Sequence, residues 1–120
     1  MPVIRFEQVA QIALALPGVE QSTTNGSLAF RVREKLFLHL WDDDDTLVIR
    51  IGREEKQALL SADPDRFFVN RAHQSSPAIL TRLSDNEPAD LPELADLIED
   101  AWRRRAPAAL VRVRDQDADR

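Results

Sequence analysis

The chain has 120 residues, enough for one domain with a core of its own, and it is 43% hydrophobic and 31% charged, which excludes wholesale disorder. It contains no cysteine, so a disulfide framework, thiolate zinc and a cysteine nucleophile are excluded together. The net charge of −5 is unevenly spread: residues 1–41 and 46–83 sum to +3, while Asp42 to Asp45 and residues 84–120 each contribute −4.

The start, Met1-Pro2-Val3-Ile4-Arg5-Phe6-Glu7, lacks a long apolar stretch. No signal peptide or membrane span is expected, and a reducing cytoplasm is the expected location. Phe6, Val9, Ala10, Ala13 and Leu16 recur at helical steps, and Pro17-Gly18 stops that helix. Val19 to Thr23 then reads as a short strand ending at the turn residues Asn25-Gly26. Leu28 to Val32, Lys35 to Trp41 and Thr46 to Ile51 follow as strands, with turns near Arg33-Glu34 and at Asp42 to Asp45.

Gly52 introduces a short helix over Arg53 to Ser61, ended by Asp63-Pro64. Phe67 to Val69 reads as extended, and Ala78 to Leu83 as a further strand. The last helix carries the apolar stripe Leu91, Leu94, Ala95, Ile98, Ala101 and Trp102, with Asp90 expected to cap it and Glu93 to complete a capping box. Arg103 to Arg105 sit in its final turn and suit its dipole. Residues 1–113 thus form one domain, and 114–120 read as a frayed polar tail. The order α-β-β-β-β-α-β-α predicts an α+β fold, an antiparallel sheet with helices packed on one face.

Several motifs resemble the MmcQ/YjbR-like family. Leu14 to Glu20 and Ala29 to Phe37 look like its opening, Ala58 to Pro64 with Phe67-Phe68 like its middle, and Ala101-Trp102 with Ala106-Pro107 like its close. The stretch Arg71 to Pro77 departs from it, since relatives often carry glycine and an aromatic there. The resemblance implies a compact fold similar to bacterial frataxin, and a DNA-binding label that rests on likeness to a winged arrangement.

Catalytic and metal motifs are missing. His39 and His73 lack HExxH spacing, there is no GxSxG elbow, and three isolated glycines make no phosphate loop. The expectation is a non-enzymatic binding domain with no catalytic residue, no metal and no cofactor. Asp42 to Asp45 lack the EF-hand pattern and read as a solvated turn rather than a calcium site.

Strand alternation points to one surface. Leu36, Leu38 and Leu40 face the helices, so Lys35, Phe37, His39 and Trp41 face away. Extending the rule to the neighbouring strands adds Arg31, Arg33, Arg50 and Arg82 to an uncovered face, with Leu80 also outward. Bases beside aromatics suit a polyanion, with DNA or RNA leading, bound weakly and with strong salt dependence. The alternatives are a protein-interaction module, including a homodimer, that uses the same face, and arginine stems that merely cover it.

Overall fold

The computed structural model describes residues 3–118. Helix α1 spans Phe6–Leu14 and is entered through Gln8, whose Oε1 accepts from the Arg5 N–H at 2.8 Å. Strands β1 (Val19–Thr24), β2 (Ser27–Val32), β3 (Lys35–Leu40) and β4 (Thr46–Arg50) follow as a meander. Then come α2 (Arg53–Ala62), β5 (Phe67–Phe68), β6 (Ala78–Arg82), α3 (Leu91–Arg105) and α4 (Ala108–Ala118). The sheet is wholly antiparallel in the order β1-β2-β3-β4-β6-β5. The predicted α+β fold is the observed one.

The hairpin chemistry is local. Asn25 and Gly26 both take positive φ, 51° and 82°, as a tight two-residue turn demands. Arg33 and Glu34 do the same at 49° and 72°, so Arg33 lies in a turn and not on the strand face where alternation put it.

One face of the sheet carries the core. Val9 and Ala13 of α1, Leu94, Ile98 and Trp102 of α3, and Phe30, Leu38, Leu47, Ile49 and Ile79 of the sheet are all buried there. Trp102 buries its ring and still donates Nε1–H to the Pro17 carbonyl at 3.0 Å, which removes the usual cost of burying an indole N–H.

The register of β3 differs from strict alternation. Arg31 faces Leu36 and Phe30 faces Leu38, so Phe37 is an extra residue without a partner across β2. This bulge turns two consecutive side chains, Phe37 and Leu38, into the core. Phe37 is 0% exposed, which removes it from the binding face, while Leu36 is half-buried and shares the outer face with Arg31. Beyond the bulge the alternation resumes as expected: Leu40 is in the core, and His39, opposite Val48, faces outward.

Two differences lie near the C-terminus. Asp90 does not cap α3; its carboxylate turns back to accept the Glu87 N–H at 2.8 Å, closing a 3₁₀ turn over Pro88–Asp90. Residues 114–118, expected to be frayed, are helical as the end of α4. Pro107 interrupts α3 and then opens α4, whose Leu110 and Val111 pack on the core. Arg114 and Asp115 are tied to Glu99 and Arg103 at 2.8 Å each. Residues 119–120 of the expected tail lie outside the described residues. Gly18 permits this docking, since a Cβ there would meet Leu110 Cδ1 at 2.6 Å and its φ is +73°.

Candidate anion-binding site

The outer face of the sheet is only partly open. Val48, Ala78 and Leu80 are buried on it beneath Trp41 and Phe68. The loop between β5 and β6 also folds over this face, placing the His73 ring 5.3 Å from Trp41, edge-on, and 6.2 Å from His39. The uncovered surface expected from alternation is therefore narrower, and a second histidine joins the first.

Lys56 holds that loop in place. It projects from α2, is 6% exposed, and gives its Nζ–H groups to the carbonyls of His73 (3.1 Å), Gln74 (3.2 Å) and Ser76 (2.6 Å). Burial, with Arg53 nearby, pushes the Lys56 pKa down from its ordinary value. Within the loop Asn70 Oδ1 accepts the His73 N–H at 2.9 Å, and Ser76 Oγ lies 3.0 Å from His73 Nδ1. On the strand, His39 Nδ1 lies 3.0 Å from the Leu40 carbonyl. That carbonyl can only accept, so His39 carries its proton on Nδ1 and leaves Nε2 as the acceptor when neutral.

The electrostatics are one-sided. Burial lowers the His39 pKa, and Arg50 and Arg31 lower it further against the opposing Leu40 hydrogen bond. Burial lowers His73 as well, followed by His39, Arg50 and Lys56. Arg50 is itself pushed down, by burial and then by the charge of Arg105. Among the described residues Arg31, Arg50 and Lys56 make no ion pair with a carboxylate, whereas Arg66, Arg82, Arg103 and Arg114 all do. Arg31 and Arg50 thus lie near two histidines with lowered pKa values, and neither arginine makes an ion pair among the described residues, although Glu20 stands opposite Arg31 across β1 and β2.

The residues named from sequence divide accordingly. His39 and Trp41 both lie against His73, and Arg31 and Arg50 are close enough for their charge to act on His39. Arg31 is held by Ser22 Oγ at 3.1 Å and by the Glu34 carbonyl at 3.2 Å. Arg33 and Lys35 are exposed at the β2–β3 turn, flanking the cluster. Arg82 lies on the same face but is engaged, 4.3 Å over the Phe68 ring and 3.5 Å from Asp85. Phe37 belongs to the core. Sequence reasoning missed His73 and Lys56 as members, because only the tertiary path of the loop brings them to β3.

Asp42 to Asp45 behave as a turn. Asp43 accepts from the N–H groups of Asp45 (3.0 Å) and Thr46 (2.9 Å) and from Thr46 Oγ1 (2.7 Å), and Asp45 holds Ser84. Among the described residues no cluster of three or more metal-ligating side chains exists. No helix among them is long and apolar enough to cross a membrane.

Comparisons with known proteins place this architecture. An uncharacterised protein of Mycobacterium bovis and two of Mycobacterium tuberculosis are each 37% identical to it over 68 residues, 56% of this chain. The match takes in 50% of each of them, so the chain aligns with about half the length of these curated relatives. A crystal structure of the Deinococcus radiodurans protein DR2400, a DUF419 domain, superposes with a TM-score of 0.69 over 85% of this chain and 78% of that one. At 16% identity that likeness speaks for the fold alone. The YjbR family profile matches residues 14–104, and the chain belongs to the YjbR family.

Proposed function

We propose that this protein is a non-enzymatic binding domain that takes a polyanion, a single strand of DNA or RNA, on the outer face of its sheet. One observation carries the reading: Arg31, Arg50, His39 and His73 lie near one another there, and neither arginine has a carboxylate partner among the described residues. Trp41, half-buried beside them, offers a ring on which a base can stack. A locally basic face attracts phosphate despite the net charge of −5, because fields beyond about 8–10 Å are screened at physiological salt. The exposed acids of the neighbouring 42–45 turn disfavour a broad duplex and favour a strand that threads past them.

The test is titration of labelled single- and double-stranded oligonucleotides at about 50 mM and about 200 mM salt. Three phosphate contacts on a single strand predict a log–log salt slope of about −2, close to a 20-fold loss across that range. The Arg31→Glu/Arg50→Glu double variant, with its fold checked by circular dichroism, is expected to abolish binding. Absent binding, or salt-insensitive binding that survives the double reversal, overturns the reading in favour of a protein-interaction surface.

A further inference from the structure

Beside the basic cluster, between the β1–β2 turn and the end of β3, lies a cleft of about 210 Å³. That is smaller than the roughly 300 Å³ at which drug-sized pockets begin, so it suits one ring system and not a whole dinucleotide. Trp41 is its aromatic lining residue, and Thr24, Asn25, Ser27 and Asp42 are its polar ones; Leu40 borders it although it belongs to the core. Among the described residues no side chain of Thr24, Asn25, Ser27 or Asp42 is engaged in a hydrogen bond, although Asp43 and Asp45 in the same turn are fully used as staples. The cleft thus combines an aromatic surface with uncommitted donors and acceptors.

Charge of both signs borders it. His39 lines the cleft and lies within electrostatic range of Arg31 and Arg50, which supply the positive charge. Asp42 also lines it, with a carboxylate that only accepts hydrogen bonds. A ligand that uses both presents an anionic group toward the two arginines and N–H donors toward Asp42. A nucleotide has this polarity, with its phosphates at one end and its base edge at the other. Guanine fits best, because its Watson–Crick edge carries adjacent N1–H and N2–H donors that the two oxygens of one carboxylate can accept together.

We propose that this cleft seats a single unstacked nucleobase, guanine in preference to thymine or uracil, with the ring against Trp41, its donor edge on Asp42 and its flanking phosphates on the cluster beyond His39. The assignment rests on the polyanion reading above and adds a base-specific subsite to it.

The experiment compares strands of about 12 units. One is wholly abasic, one carries a single central guanine, and one a single central thymine, each titrated against the intact chain by anisotropy. The guanine strand is expected to bind about 5- to 10-fold tighter than the abasic strand, a typical gain for one stacked base. The thymine strand should fall between them. Asp42→Asn should erase the difference between guanine and thymine while leaving both above the abasic strand. Trp41→Ala should bring all three to the abasic level, and Trp41→Phe, which keeps a ring and guards against a folding defect, should restore most of the gain. Equal binding of all three strands by the intact chain overturns the subsite and leaves the polyanion reading standing. Equal binding of guanine and thymine strands, both above abasic, overturns the Asp42 assignment. Failure of every strand to bind removes the polyanion reading, and the subsite with it.

Discussion

The two faces of this sheet handle charge in opposite ways. On the inner side, the cations at the edge of the core are neutralised: Arg66 reaches Asp63 at 2.9 Å, Glu93 at 2.7 Å and Asn86 Oδ1 at 2.8 Å, and Arg103 joins Glu99 to Asp115. Those contacts raise the Arg66 pKa against its burial and raise that of Arg103. On the outer side the resolved shifts of His39, His73 and Arg50 go the other way. A base whose pKa rises is held by the fold, and one whose pKa falls is tolerated by it. The first face commits its cations to ion pairs, whereas Arg31 and Arg50 on the second make none among the described residues.

That contrast can be broken at several points. Leu38→Ala, in the middle of the inner face, is expected to cost about 2–5 kcal/mol in chemical denaturation, as for other truncated core leucines. A loss below about 1 kcal/mol would show that the helices do not pack on this strand as described. Arg66→Ala strips one guanidinium from its carboxylates and from the buried Asn86, and should cost about 1–3 kcal/mol, discounted because Glu93 is half exposed. Arg50→Gln is the outer counterpart. Here stability should move by no more than about 0.5 kcal/mol, in either direction, since no ion pair is lost, while oligonucleotide binding weakens. If Arg50→Gln destabilises as much as Arg66→Ala, the distinction between the faces fails.

The smallest effect is on pH. His39 and His73 have folded pKa values below their ordinary 6.5, so the unfolded chain binds protons first as the solution is acidified. Their contribution to stability is intact above about pH 6.5 and declines from there down through the folded values. A bound phosphate would favour the charged rings, so binding should strengthen over the same interval in which stability falls. Thermal midpoints and affinities measured side by side from about pH 7.5 to about pH 5 test both signs. His39→Gln/His73→Gln should flatten both curves.

How much of this was legible in the sequence depended on the range of the interaction. The strands, the Asn25-Gly26 turn and the α3 stripe are written in local periodicity and turn chemistry, and their bounds fall within a residue or two of expectation. Strict alternation failed at Phe37 because a bulge depends on the partner strand, and nothing in Lys35 to Trp41 alone marks which residue is supernumerary. Asp90 was misread because Glu87, Pro88 and Asp90 formed a tighter local turn that used the carboxylate first. Of the site, β2, β3 and β4 supplied Arg31, His39, Trp41 and Arg50, all visible by face. His73 and Lys56 arrive through contacts 17 to 34 positions apart, beyond any local pattern.

Lys56 has a consequence for how this surface can change. All three of its donors are spent on main-chain oxygens, at positions 73, 74 and 76. Every amino acid supplies such an oxygen, so the anchor makes no demand on side-chain identity in the segment it secures. What does depend on side-chain identity in this segment is its internal bonding, Asn70 Oδ1 to the His73 N–H and Ser76 Oγ beside His73 Nδ1, and the lysine's grip is independent of both.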